Sequence, residues 1–450
     1  MRSIFFILAS LFIVGCGSSD DFGGQTGPVS CSNDEQKQFV WDVMQDWYLW
    51  NDLLPAQIDV DDYASPEDLL DALTAYSPDD GSGQPIDKSR GFSFINSAEA
   101  DAQFFGEGKF EGFGFSYRYE ASDDVRLTRV FAGSPAEDGG LKRGQRILEL
   151  NGRTIAEINA AEGINVVFGT SPLIFTLLSS SGDPLPPVSL AHAIVTIDPV
   201  PLTRLIDAGA GHMVGYMELA TFISTADPVF DTVFASFQAS DVNGTGITDL
   251  ILDLRYNGGG LVSTAELLGD YLGGGVPIDD VFSETQFNAD RAANNTKKLF
   301  ERLENSLSLS RLLVIATENT ASASELVTNS MAPHVAVTIV GATTYGKPVG
   351  QSGFVFCEKI LRPVTFQTVN ADGVGDYFDG LPVECAAADD LNIDVGADAD
   401  PNMIAALEYI NTGSCPVMTL PVGQAKPGFK ESVRQLDRRG PSWRQFAGAF

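Results

Sequence analysis

Two short segments carry residue types able to do covalent chemistry: Ser322-Ala323-Ser324-Glu325-Leu326 and Gly346-Lys347-Pro348-Val349-Gly350-Gln351, with Lys347 placed 25 residues after Ser322. A serine hydroxyl is a weak nucleophile until a base takes its proton, and a desolvated, neutral lysine amine is such a base. Taken alone, the same residues also read as a capped helix start and a surface lysine. Residues 325–332 read as a helix opened by a small-residue turn. Residues 335–340 form an apolar strand that leads to the lysine in a glycine-flanked loop. This order brings a distant serine and lysine to one edge of a sheet.

The neighbouring polar residues have plainer readings. Ser324 is the rival nucleophile, but two residues into a helix start it faces another way. Glu325 suits an N-terminal carboxylate acting on the helix dipole rather than a catalytic acid. His334, the histidine nearest the serine in sequence, reads as a core or surface residue, as do the other two.

The elements that must position the pair fall into three blocks. In 36–54, Phe39, Val43, Trp47 and Trp50 lie on one helical stripe. Ser65-Pro66-Glu67-Asp68 opens a second helix over 66–75 with proline at its first position. These make a helical module over 31–106. Over 107–195 the pattern changes to short strands and glycine turns. From 196 onward strands and helices alternate, as in an α/β core. Strands are expected at 214–222, 247–255 and 312–317, and helices at 261–272 and 402–409.

Glu111-Gly112-Phe113-Gly114-Phe115-Ser116, Gly133-Ser134-Pro135-Ala136 and Gly144-Gln145-Arg146-Ile147-Leu148-Glu149-Leu150-Asn151-Gly152 together resemble a PDZ domain. The resemblance implies peptide binding at Gly112, Phe113, Gly114 and Phe115: loop N–H groups receive a C-terminal carboxylate, and a sheet edge adds the peptide as a strand. With this domain inserted, three features are similar in order and interval to the carboxy-terminal processing proteases, the S41 serine peptidases. They are Asp253-Leu254-Arg255-Tyr256-Asn257-Gly258-Gly259-Gly260, Thr320-Ala321-Ser322, and Gly346-Lys347 with Gln351. The resemblance spans about residues 110–410. It implies a crotonase-like α/β protease core, with a small β-rich PDZ domain and an N-terminal helical module, that cleaves polypeptides with free, unstructured C-termini.

Carried over residue by residue, the resemblance makes Ser322 the nucleophile, Lys347 the general base and Gln351 the amide that orients the lysine. It makes the N–H groups of Ala323 and Gly259 the oxyanion hole. A carboxylate beside Lys347 would work against its neutral form, whereas a neutral amide would not. Pro348 departs from the glycine that many family members carry after the lysine, and pushes Lys347 towards an extended backbone. The alternative on the same fold is a catalytically inactive, PDZ-containing peptide-binding or scaffold lipoprotein. A small-molecule carrier would leave the serine and lysine unexplained.

The 450 residues carry a net charge of -32, which argues against a nucleic-acid partner. Neither a metal nor a cofactor is expected. Asp390, Asn392 and Asp394 have EF-hand spacing, but Val395 and Pro401 occupy positions that need glycine and glutamate. Residues 1–15 read as an export signal. They end in Ile13-Val14-Gly15-Cys16, which resembles a lipobox, with Cys16 as the lipidation site. Residues 16–30 then form a flexible tether of roughly 20 Å. By resemblance to lipoprotein sorting, Gly17 favours the outer membrane, facing the periplasm. Cys31, Cys357, Cys385 and Cys415 allow three pairings, of which Cys357 with Cys385 and Cys31 with Cys415 is the expected one. The core ends near 425. A basic tail over 426–450 carries Lys426, Lys430, Arg434, Arg438, Arg439 and Arg444, and its Phe450 carboxylate is a candidate ligand for the chain's own PDZ loop or active site.

Overall fold

The computed structural model describes residues 27–28, 30–209, 211–239 and 246–416. The expected signal, Cys16, most of the tether and the basic tail lie outside the described residues.

A six-stranded sheet forms the core. Leu202–Asp207 pairs antiparallel with Met213–Glu218, and the sheet then runs parallel through Asp249–Asp253, Arg311–Ala316, Ala336–Gly341 and Cys385–Ala386. Its central strands are almost wholly apolar because both faces are covered. Leu250, Leu252, Leu312 and Val314 pack on Phe230, Phe234, Leu268, Leu272, Leu326 and Met331 from helices Asp227–Gln238, Val262–Leu272 and Ala323–Met331. Their alternates Ile251, Leu313 and Ile315 face Met403, Ala406 and Ile410 of helix Pro401–Thr412. Because Asp249–Asp253 and Arg311–Ala316 run parallel, with Asp253 opposite Ile315, the turns that follow them leave at the same sheet edge.

A second, antiparallel sheet is built from Thr296–Leu299, Val281–Phe287, Val364–Val369 and Val349–Gln351. The PDZ region forms its own sheet, with Phe115–Ala121 on one edge, paired among the described residues with Asp124–Val130 alone. Phe113, Phe115, Phe168 and Phe175 fill its core.

The N-terminal helical module is joined to the core rather than separate from it. Its strand Phe94–Ser97 pairs with Lys359–Arg362, and Phe39, Trp47, Phe354 and Phe366 share one cluster. The first helix is Asn33–Trp47, shorter than the expected 36–54. It ends where Tyr48 becomes extended and the N–H of Leu49 is captured by the carbonyl of Val364 at 2.8 Å.

The disulfides are Cys31–Cys357 and Cys385–Cys415, which corrects the expected pairing. Phe39 stacks on Phe356 with ring centres 5.1 Å apart, so the helix start lies beside Cys357. Helix Pro401–Thr412 packs on the sheet face that holds Cys385 and returns the chain to it at Cys415.

Candidate active site

Strand Arg311–Ala316 is buried along most of its length, and the turn after it is pinned before it reaches the serine. Thr320 Oγ1 donates to the carbonyl of Leu254 at 2.7 Å, and the N–H of Ala321 to that of Asn257 at 3.1 Å. Ser322 then adopts φ 56°, ψ -116° at the N-terminus of the helix. A non-glycine residue held at positive φ carries strain of about 1–3 kcal/mol. A sharp strand-to-helix turn of this kind presents a serine hydroxyl at a sheet edge. Ser322 is partly exposed, whereas Ser324 is fully buried and its hydroxyl donates to the carbonyl of Asn257 at 3.0 Å. The two serines therefore differ in role.

Glu325 ties this turn to the lysine loop. Its Oε2 accepts the N–H of Ser322 at 2.9 Å and that of Lys347 at 2.8 Å. Its Oε1 accepts the N–H of Gly346 at 2.7 Å and the hydroxyl of Thr344 at 2.6 Å. Burial raises the carboxyl pKa, against the pull of these four donors. Gly346 has φ 91°, and a Cβ there would stand 2.1 Å from the carbonyl oxygen of Phe378. Only glycine fits the tight path into Lys347. Pro348 is accommodated: its carbonyl accepts the N–H of Thr368 at 3.1 Å.

The amine of Lys347 stands 5.6 Å from the centre of the Phe92 ring and makes no hydrogen bond or ion pair among the described residues. Burial lowers its pKa to about 8, although Asp87 and Glu325 pull the other way; Arg362 adds to the lowering. Carboxylates beside the lysine thus coexist with a lowered pKa, because desolvation is the larger effect.

Gln351 does not hold the amine. Its Nε2 donates to the carbonyl of Phe92 at 2.8 Å, and no hydrogen bond joins it to Lys347 among the described residues. The expected direct contact is replaced by one through Phe92, whose ring lies under the lysine, because the N-terminal module brings that carbonyl within reach.

Gly259 is likewise corrected as an oxyanion donor. Its N–H is taken by Asn257 Oδ1 at 2.9 Å. It has φ 103°, and a Cβ there would lie 2.8 Å from Ser322 Cβ and 2.9 Å from the Ala323 nitrogen. Gly259 therefore permits close approach of the two turns. The N–H groups of Ala323 and Gly258 have no acceptor among the described residues.

In the PDZ loop, Phe113 and Phe115 are fully buried. The carbonyls of Phe113 and Gly114 accept the N–H groups of Ala136 and Phe131, each at 2.9 Å. The N–H groups of Phe113 and Gly114 have no acceptor among the described residues. Within strand Phe115–Ala121 itself, Tyr117 and Tyr119 donate to Asn165 Oδ1 at 2.6 Å and Asn159 Oδ1 at 3.0 Å.

Around the site, Arg118 and Arg143 escaped the sequence reading. Asp389, read as part of a solvated loop, is instead half-buried, with its side chain only 10% exposed. It receives Arg118, Tyr256 and Arg143, the last at 2.7 Å, linking the PDZ region to the turn before Asn257. Burial alone would raise its pKa, but Arg118, Arg143 and Arg255 hold it at about 2. Arg255 is buried between Asp253 and Asp400. His334 bonds the carbonyl of Val281 at 2.9 Å, in keeping with a structural role.

Three family profiles match in chain order: Peptidase S41 N-terminal domain at residues 35–94, PDZ domain at 102–171 and Peptidase family S41 at 213–376. The chain is 27% identical over 238 residues to a carboxyl-terminal-processing protease of Synechocystis sp., covering 52% of each chain. It is 23% identical over 282 residues to the carboxy-terminal processing protease CtpA of Bacillus subtilis, covering 62% of this chain and 56% of the other. The matches thus span little more than half the length of these relatives. A solved structure from Bacteroides fragilis, described as an S41 protease, superposes with a TM-score of 0.65 at 24% identity. It covers 83% of this chain and 97% of that one, and shares the fold.

Proposed function

The chain belongs to peptidase family S41, and on that premise we propose that it is a serine endopeptidase working through Ser322 and Lys347. The observation that carries this reading is Glu325, whose one carboxylate binds the backbone N–H of both Ser322 and Lys347. In the first step Ser322 Oγ attacks the scissile carbonyl carbon and its proton passes to the neutral amine of Lys347. The resulting ammonium returns the proton to the leaving nitrogen, giving an acyl-serine and a free amine. Water, deprotonated by the same lysine, then hydrolyses the ester and restores the hydroxyl. The N–H of Ala323, with that of Gly258 in place of Gly259, is the donor set for the oxyanion. Gln351 acts through Phe92.

The PDZ domain takes unstructured C-termini of substrate polypeptides. In this reading the free N–H groups of Phe113 and Gly114 meet the carboxylate, and the open edge of Phe115–Ala121 adds the peptide as a strand. Export and lipid attachment at Cys16, with the enzyme facing the periplasm from the outer membrane, fit two disulfides, which persist in oxidising compartments.

The test is cleavage of a denatured protein substrate by wild type, Ser322→Ala, Ser324→Ala and Lys347→Ala. Loss of cleavage in the first and third variants, with catalysis retained in Ser324→Ala, supports the dyad. No cleavage by wild type would favour the peptide-binding alternative.

A further inference from the structure

Asp87 belongs to the N-terminal module, in helix Ile86–Arg90, yet its carboxylate is fully buried. It accepts the N–H of Ser93 at 2.7 Å, the hydroxyl of Ser93 at 2.6 Å and the hydroxyl of Tyr48 at 2.8 Å. The Ser93 hydroxyl itself accepts the N–H of Val364 at 2.9 Å, so its proton goes to Asp87. Three converging donors suit an ionised carboxylate. Burial raises its pKa, against the pull of these three donors and of Lys347, and no arginine, lysine or histidine forms an ion pair with it among the described residues.

The rest of this loop is applied to the same base. The Phe92 ring lies under the Lys347 amine, and the Phe92 carbonyl holds Gln351. The Arg90 guanidinium donates to the carbonyls of Tyr345 at 3.0 Å and Gly346 at 3.2 Å, fixing the backbone just before the lysine. Segment 87–93 thus forms one wall of the lysine pocket.

We infer that Asp87 is a positioning residue for the general base: its buried carboxylate is the counter-charge that holds the Lys347 ammonium over Phe92 once the proton arrives from Ser322. The inference rests on the proposed dyad. Asp87 takes no proton itself; the proton stays on the lysine until the leaving nitrogen accepts it. The groups facing Lys347 are Asp87 and Glu325, which favour its charged form, and Arg362, which opposes it. The N-terminal module therefore completes the catalytic pocket.

The test measures the Lys347 titration directly in the full chain, by competitive acetylation read by mass spectrometry, for wild type, Asp87→Asn and Tyr48→Phe. This readout needs no turnover, so it is independent of the cleavage assay that judges the dyad. Removing the carboxylate is expected to move the lysine midpoint down from about 8 by about one unit, a tenfold loss of proton affinity. Tyr48→Phe, which conserves volume and removes one donor to the carboxylate, is expected to move it the same way by less. In the cleavage assay Asp87→Asn lowers kcat with little change in KM, and its acid limb moves to lower pH. A lysine midpoint equal to wild type in an Asp87→Asn protein that melts normally would overturn the inference. If that variant does not fold, an unmoved midpoint in Tyr48→Phe would do the same.

Discussion

Glu325 Oε2 accepts the backbone N–H of Lys347 at 2.8 Å. The same oxygen accepts that of Ser322, so one buried carboxylate sets the spacing between the Ser322 turn and the Lys347 loop. Glu325→Gln keeps the volume but puts an NH2 group among four donors. Its kcat is expected to fall at least about a hundredfold, and its stability by about 1–3 kcal/mol from mismatched buried groups. Steady-state kinetics beside thermal melting would check this; a variant with wild-type kcat would show that the spacing is set elsewhere.

Gly259→Ala is expected to be at least as damaging. Its Cβ would stand 2.8 Å from Ser322 Cβ at a backbone φ of 103°. The added strain is about 1–3 kcal/mol, and relief would come by displacing the Ser322 turn. Expression, melting and cleavage by Gly258→Ala and Gly259→Ala together would separate steric loss from loss of a donor.

The pH dependence of kcat/KM follows from the lysine. In the proposed mechanism Lys347 must be neutral to accept the serine proton, so the rate is expected to rise with pH through about 8. The same shift bears on stability. The folded pKa lies below the unfolded value, so the unfolded chain binds the extra proton between about 8 and 10.5, and stability gains from this group as pH rises through that window. A pH–rate profile whose acid limb disappears in Lys347→Ala, along with the activity, would agree; a profile flat through pH 8 would not.

Asp389 makes a prediction of the same sign in a much lower pH window. Its folded pKa of about 2 lies below the unfolded value of about 3.9, so its contribution is present above the unfolded value and is lost as pH falls towards 2. Asp389→Asn, which removes the carboxylate shared by Arg118 and Arg143, should lower the melting temperature at neutral pH. The difference from wild type should shrink as the solution is acidified towards pH 2. Melting curves at both pH values decide it.

Much of this fold was legible because its strands and helices are strongly periodic. Leu250 and Leu252 alternate with Ile251, and the helix after Ser322 begins where the small residues announce it. Ser322 and Lys347 could be singled out because they sit at turns with glycine or small neighbours. Asp87, Phe92 and Arg90 could not. They lie more than 200 residues from the serine in sequence, and their role depends on the pairing of Phe94–Ser97 with Lys359–Arg362. Gln351 and Gly259 were misplaced for a related reason: the sequence shows which residues stand near a turn, but not that Phe92 and Asn257 take up their N–H groups. The disulfides had the same origin, since each depends on how a helix docks.

The central claim is that Ser322 becomes acylated with Lys347 as its base. The most direct measurement is mass spectrometry of the intact protein after reaction with a serine-directed fluorophosphonate, with the labelled residue located by peptide mapping. A single adduct on Ser322 is predicted in wild type and Ser324→Ala. No adduct is predicted in Ser322→Ala, and labelling should be slowed at least about a hundredfold in Lys347→Ala. Labelling at another residue in wild type, or an undiminished rate in Lys347→Ala, would contradict the account.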